Sequence, residues 1–427
     1  MPDNLHKKRR ARVLISAYAC VANPGHRLPG GGDYMAWSII QRLGQWCDVW
    51  VITHDQNRTA IEEQLRHEPL ASVKFHFVGL PRWMDPFMRA MGSLHIYAYL
   101  WQWAAYFAAR RLHRQIQFDV AHQLTYENDW MASIIGALLP VSYVRGPCGG
   151  AHRIPGPFLR QFAPRARWAE RVRSFGQWVF RHDPFFVISQ SRAKVIMACN
   201  KEAEQGVARR WRHKVRMMPI NAISADELAP PHPHTREDKF RVLSAGRLVP
   251  LKGFDLALRA FKIFADKCPC ADFTIVGEGP ELQALQELIR GLGLEGRARI
   301  EARLPREQYM ATMRNCHVFL FLSLRDGGGQ VVIEAMAGGR PIIGLGLGGP
   351  ALYINEGCGI KIPAHSPEQV VREAAAAMQL LGRDSDLCER LGRGARQRAA
   401  EVYDWDRISE QIMKIYENLV AKPSLEG

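Results

Sequence analysis

D-G-G-G-Q-V-V-I-E-A-M-A-G-G-R-P, residues 326–341, decides how this 427-residue chain is read. An apolar run, Phe319 to Leu324, precedes it and reads as a strand; Val331 to Ala337 reads as the start of a helix. Three glycines between strand and helix present backbone amides at a helix N-terminus, a place suited to phosphate. Glu334 falls inside the helix among apolar neighbours. A carboxylate there is costly unless it accepts hydrogen bonds, and sugar hydroxyls are natural donors. Asp326 lies across the glycines at the strand end. One carboxylate on each side of an anion cradle suits a ligand with hydroxyls at both ends and phosphate between them, which describes a nucleotide sugar. The plainer alternative is a structural glycine turn whose aspartate stabilises the helix dipole.

Outward from this stretch the α/β rhythm repeats. Arg241 to Ala245 reads as a strand, then Gly246-Arg247-Leu248 and Lys252-Gly253 lead into a helix, Phe254 to Lys267. Glycines in a strand-to-helix loop let amides approach an anion, and Arg247 and Lys252 can both reach it; a capped loop with two solvated cations is the alternative. Phe273 to Val276, Arg297 to Ala302 and Pro341 to Leu345 read as further strands, with a helix at Leu282 to Leu292. Upstream, Ser224 to Asp238 carries three prolines in a polar run and reads as a linker. Before it, Arg12 to Ala17, Asp48 to Thr53, Phe118 to His122 and Val141 to Val144 read as strands among longer helical runs. The chain is therefore expected to be α/β, with parallel sheets covered on both faces by helices. The expected domains are residues 11–223 and 239–402, followed by an amphipathic helix at 404–420.

The net charge of +15 is unevenly placed. Up to Ala222 there are 31 lysines and arginines against 15 aspartates and glutamates, a net of +16; from Ile223 onward the counts are 26 and 27, a net of −1. Such a field suits an anionic membrane surface or a lipid diphosphate. No nucleic-acid module is recognisable, so nucleic acid is not expected as a partner. Nine cysteines without paired C-x-x-C spacings indicate reduced thiols, with neither a disulfide framework nor a zinc ribbon. The basic N-terminus leads into an apolar run too short for a signal peptide. Ser93 to Ala109 is uncharged but holds His95 and Gln102, and is expected to be a buried helix rather than a span. In Phe158 to Arg181, the residues Trp168, Val172, Phe175 and Val179 share one helical face beside arginines 165, 167, 171 and 173. This segment is either an interfacial helix or a core-packing helix with a solvated basic face.

Taken together, these residues resemble the retaining glycosyltransferases of family 4. Asp326 to Glu334 has the spacing of that family's Glu-x7-Glu motif, ahead of E-A-M-A-x-G-x-P. In the N-terminal half, S-A-Y-A-C (Ser16 to Cys20), Gly30-Gly31-Gly32, H-Q-L-T (His122 to Thr125) and G-P-C-G-G (Gly146 to Gly150) resemble a subgroup assigned to bacterial surface polysaccharides. The resemblance implies two Rossmann-like domains facing across a cleft (the GT-B architecture), with the C-terminal helix crossing back to the N-terminal domain. It implies that Glu334 holds ribose hydroxyls and Asp326 donor-sugar hydroxyls. Arg247 and Lys252 would neutralise the diphosphate, and the amides of Gly329, Gln330 and Val331 would bind its terminal phosphate. Gly277-Glu278-Gly279-Pro280 would lie near the nucleotide, and Gly31 also at the donor. Two departures stand out. Aspartate replaces glutamate at 326, with Gly328 where an aromatic is common. The family's histidine after the Val141 to Val144 strand is replaced by Arg145, leaving His122 as the nearest candidate for its place.

The implied activity is transfer, with retention, of a sugar from a nucleotide-diphosphate sugar to a saccharide or lipid-linked acceptor in polysaccharide or lipopolysaccharide synthesis. No cofactor and no metal are expected, and a UDP-sugar is expected over a GDP-sugar. The acceptor hydroxyl would enter beside the departing diphosphate, so catalysis would rest on positioning and on charge stabilisation at the leaving group. Two rivals share the architecture: a nucleotide-sugar epimerase and a non-catalytic partner subunit. The expected location is cytoplasmic, peripheral on the inner face of the membrane.

Overall fold

The computed structural model describes residues 9–21, 31–81, 94–125, 128–150, 152–228 and 239–421. Most of the Asn23 to Gly32 loop, the linker prolines 230, 231 and 233, and Ser93 lie outside the described residues. Among the described residues thirteen strands form two parallel sheets. The first orders β1 (Arg12–Ala17), β2 (Asp48–His54), β3 (Val73–Val78), β4 (Val120–Thr125), β5 (Ser142–Cys148), β6 (Ala193–Ala198) and β7 (Val215–Met217) as β3-β2-β1-β4-β5-β6-β7. The second orders β8 (Phe240–Ala245), β9 (Ala271–Val276), β10 (Ala298–Glu301), β11 (Val318–Phe321), β12 (Ile342–Leu345) and β13 (Gly359–Ile362) as β10-β9-β8-β11-β12-β13. Both are doubly wound, and each reverses direction once, between β1 and β4 and between β8 and β11. At such a reversal the loops leave in opposite directions and a crevice opens beyond the strands' carboxyl ends.

The chain divides into two compact units. The first holds 1–151, 174–220 and 405–427; the second holds 152–173 and 221–404. The expected boundary at 223 is thus corrected in one respect: His152–Arg173 goes with the second unit. The reason is apolar burial, because Ile154 and Phe158 sit in the second unit's core with Phe254, Phe261 and Phe273, and Leu159 and Phe162 pack against it. The helix Trp405–Ala421 belongs to the first unit. It buries Trp405, Ile408, Ile412 and Tyr416, and its Asp406 pairs with Arg42 of the helix Gly31–Trp46 at 2.5 Å.

The uncharged run near residue 100 forms the helix Leu94–Ile116, which buries Ala98, Trp101, Ala105 and Ala109 against the first sheet. Its polar side chains are satisfied in place: Trp101 donates to the Val78 carbonyl at 2.7 Å and Gln102 to the Ala132 carbonyl at 2.7 Å. Among the described residues no helix is long and apolar enough to cross a membrane.

In the second unit, close backbone approach explains several glycines. A Cβ on Gly277 would stand 1.9 Å from the Gly246 carbonyl oxygen, so the loops after β8 and β9 touch backbone to backbone. Gly291→Ala is a matched control, since nothing lies within 4 Å of its Cβ position. Gly277→Ala is expected to destabilise the chain by about 1–3 kcal/mol through overpacking, and Gly291→Ala to leave stability within about 0.5 kcal/mol. Denaturant titration of the two variants checks this; equal stabilities would overturn it.

Candidate functional site

The loops that flank the reversal of the second sheet carry three of the sequence-predicted residues. Arg247 and Lys252 follow β8, and Asp326 follows β11. The loops are laced together: the Leu324 amide donates to the Leu251 carbonyl at 2.9 Å, and the Ser323 hydroxyl reaches the same oxygen at 3.3 Å. Lys252 pairs with Asp326 Oδ2 and lies 5.5 Å from the centre of the Phe321 ring. Asp326 Oδ1 accepts the amides of Gly328 at 3.2 Å and Gly329 at 2.7 Å. Gly329, at φ 66°, occupies the left-handed region just ahead of the helix Gln330–Ala337. Arg247 is exposed, and among the described residues its guanidinium makes no ion pair or hydrogen bond.

Aspartate at 326 therefore has a local cause. Its short side chain curls back onto amides two and three residues on, as aspartate does at turns. The Gly329 amide, expected on phosphate, is here turned onto that carboxylate.

Glu334 is buried in that same helix, Gln330–Ala337, and its carboxylate is not left bare. Arg306 Nη1 donates to Glu334 Oε1 at 2.5 Å, while Nη2 of the same guanidinium donates to Glu227 Oε1 at 2.5 Å. Burial works against the Arg306 charge, but the Glu334 and Glu227 carboxylates outweigh it and raise its pKa above the ordinary arginine value. The Tyr309 hydroxyl is pushed well above the usual tyrosine range by burial and then by the adjacent Glu334 charge. Glu227 is fixed in turn by the Ser224 amide at 3.0 Å. Sequence reasoning missed Arg306, Tyr309 and Glu227. Only their places at or near helix and turn starts are visible in sequence, and no spacing links them to Glu334.

The Gly277 to Pro280 loop lies beside the Arg247 loop. The Leu248 amide donates to the Glu278 carbonyl at 2.8 Å, and Glu278 Oε1 accepts the Arg303 amide at 3.3 Å. A Cβ on Gly279 would meet the Leu248 carbonyl oxygen at 2.4 Å. Backbone packing alone thus requires these glycines.

Gly31 and His122 lie in the first unit. Gly31 opens the helix that follows β1, at the reversal of the first sheet. His122 is enclosed in β4. Its Nε2 donates to the Gly146 carbonyl at 2.5 Å, which leaves Nδ1 to accept the Tyr416 hydroxyl at 2.5 Å. Burial pushes the imidazole down to about 4, only partly offset by the bond to Gly146. The expected place of His122 at a reacting anomeric carbon is corrected: both ring nitrogens are engaged and the ring is buried. Arg145 is no substitute. It too is buried, donating to the Asn128 and Met131 carbonyls at 2.8 and 2.7 Å, with its guanidinium over the Phe186 ring.

Residues 227–398, which hold the second unit's site, match the family described as Glycosyl transferases group 1. D-inositol 3-phosphate glycosyltransferases are similar over part of the chain. That of Streptomyces griseus is 29% identical over 213 residues, 47% of this chain and 43% of its own. That of Corynebacterium jeikeium is 30% identical over 182 residues, 41% and 42%. The chain thus spans less than half the length of these curated relatives. Solved structures match at full length. Anabaena HepE in complex with UDP has a TM-score of 0.64 at 16% identity, covering 96% of this chain and 100% of that one. Sucrose-phosphate synthase from Thermosynechococcus elongatus has a TM-score of 0.65 at 18% identity over the same shares. At these identities the likeness is one of fold: two parallel-sheet Rossmann-like domains, as in GT-B glycosyltransferases.

The His122 environment sets a pH dependence. Its folded pKa, about 4, lies below the value near 6.5 of an unfolded histidine. The stability it contributes is therefore complete above about pH 6.5 and lost as pH falls toward 4, by about 3 kcal/mol in all. His122→Gln is expected to flatten the fall in Tm across that window relative to the parent. Parallel Tm profiles would show that the imidazole is not the titrating group.

Proposed function

We propose that this chain is a retaining glycosyltransferase that moves a sugar from a nucleotide-diphosphate sugar, a UDP-sugar, to a saccharide or lipid-linked acceptor in surface-polysaccharide synthesis. The observation that carries the reading is the joining of Lys252, Asp326 and the amides ahead of the Gln330–Ala337 helix at the second sheet's reversal, with exposed Arg247 on the same loop as Lys252. Buried Glu334 stands about one turn further along the same helix. This set offers cations for a diphosphate and carboxylates for hydroxyls on either side. The match of residues 227–398 to group 1 glycosyltransferases supports it.

In this reading the diphosphate draws Lys252 from its pairing with Asp326, which frees that carboxylate for sugar hydroxyls. Exposed Arg247 reaches the same phosphates. Negative charge grows on the leaving diphosphate as the glycosidic bond breaks, so both cations act most strongly in the transition state. The two carboxylates bind and orient, and no cofactor or metal takes part. Arg247→Gln and Lys252→Gln are each expected to lower kcat by about 10²–10³-fold with a smaller rise in KM. A wild-type kcat with altered KM would remove them from the chemical step. The epimerase reading predicts an altered nucleotide sugar without acceptor, which product analysis detects.

We also propose that the chain docks reversibly on an anionic membrane through the helix Pro164–Arg181. Its apolar face is exposed: Trp168 and Phe175 at 65%, Trp178 at 56%, Val172 and Val179 at 47%. The core-packing alternative does not account for that face. The helix carries five arginines and one glutamate, and that glutamate, Glu170, is bound by Arg325 at 2.5 and 2.6 Å. An amphipathic basic helix of this kind lies in the headgroup plane, and basic residues near such a surface contribute about 1 kcal/mol each, screened by salt. Co-sedimentation with phosphatidylglycerol-containing vesicles is expected at low salt, reduced at high salt and reduced again in a Trp168→Ala, Phe175→Ala, Trp178→Ala variant. Equal binding to neutral vesicles, or none, would refute it.

A further inference from the structure

We infer that Arg306 is a positioning residue that holds the ribose-binding carboxylate in trust, and that the donor's ribose must displace it. The inference rests on the reading of Glu334 as the ribose site.

The geometry is asymmetric. The Glu334 side chain is 6% exposed, whereas that of Arg306 is 50% exposed. The guanidinium therefore covers a buried anion with one edge and faces solvent with the other. A buried carboxylate without a partner is strongly disfavoured, and Arg306 Nη1 supplies the charge at Oε1. A vicinal diol donates two hydrogen bonds to one carboxylate, and since only 6% of the Glu334 side chain is exposed and Nη1 already sits on Oε1, the diol and the guanidinium compete for the same narrow approach. Arg306 can yield it without being set adrift, because Nη2 is anchored separately to Glu227, itself fixed by the Ser224 amide. Its planar fork can thus exchange one carboxylate while keeping the other. Tyr309 is buried beside the same carboxylate.

Two consequences follow. Binding of the ribose exchanges an ion pair for bonds to neutral hydroxyls, so Arg306 discounts affinity for every ribonucleotide. A ligand without the diol leaves Arg306 in place and escapes the discount. Arg306 thereby compresses the difference between a ribonucleotide and its dideoxy counterpart.

The test is calorimetric affinity of the full chain for UDP and for GDP, each against its 2′,3′-dideoxy analogue. Arg306→Gln is expected to tighten the better-bound ribonucleoside diphosphate by about 3- to 10-fold, the worth of roughly one ion pair. It should leave the dideoxy analogue unchanged. Arg306→Lys, whose ammonium cannot fork across both carboxylates, is expected to shift the same way by less, and serves if the glutamine variant does not fold. Weaker binding of the ribonucleotide, or an equal change for both ligands, would overturn the inference. Glu334→Gln separates this from the underlying reading. If that variant still prefers the ribonucleotide as the parent does, the ribose site lies elsewhere and both fall. If it loses the preference while Arg306→Gln fails to tighten binding, only the role of Arg306 falls.

Discussion

The ion pair of Lys252 with Asp326 joins the two loops between which the second sheet reverses. β8 and β11 are paired at Val242 with Val318 and Leu243 with Phe319, and beyond Ser244, whose hydroxyl donates to the Leu320 carbonyl, other contacts must hold their loops together. The ion pair does so, helped by the backbone bond from Leu324 to Leu251. Both side chains are mostly covered, so water screens the pair poorly. Through Asp326 Oδ1 the same contact sets the turn of Gly328 and Gly329, and so the start of the helix bearing Glu334. One pair thus fixes the amide end, the lysine and the carboxylate relative to one another.

The two carboxylates picked out by sequence turn out to share a physical problem and two solutions. Under the proposed function each has neutral hydroxyls as its partners, and each is charge-compensated by a neighbouring cation. For Asp326 the cation, Lys252, is itself suited to the ligand's phosphates. For Glu334 it is Arg306, anchored to a second carboxylate. The first arrangement lets a ligand's own charges rearrange the pair; the second sets neutral hydroxyls against an ion.

How much was legible follows from what each feature depends on. The strand-to-helix loops with Gly246, Gly253 and Gly329 were readable because each lies between an apolar run and a helical period. Glu334 was readable as a carboxylate in an apolar stretch. Arg306 was not, since its pairing with Glu334 arises from packing of the helix Arg306–Asn315 against the helix Gln330–Ala337. β3, β6, β7 and β13 escaped notice because Lys74, Lys194, Arg216 and Lys361 interrupt their apolar pattern. His122 misled because enclosure by β5 and by a helix near residue 416 leaves no trace in the residues around it. Likewise, the grouping of His152–Arg173 with the second unit depends on where Ile154 and Phe158 find a core.

The hydrogen bond from Tyr416 to His122 has a bearing on biosynthesis. β4 lies in the middle of the first sheet, yet a partner for its buried imidazole comes from a helix almost three hundred residues later. On the ribosome, strands β1 to β7 emerge long before Trp405, Ile412 and Tyr416 exist to cover them. The first unit must therefore wait, with that flank of the Gly31–Trp46 helix uncovered, while the whole second unit is translated. A nascent chain of this protein holds an incomplete first core until residues 405–416 are made, and its apolar flank stays exposed during that interval.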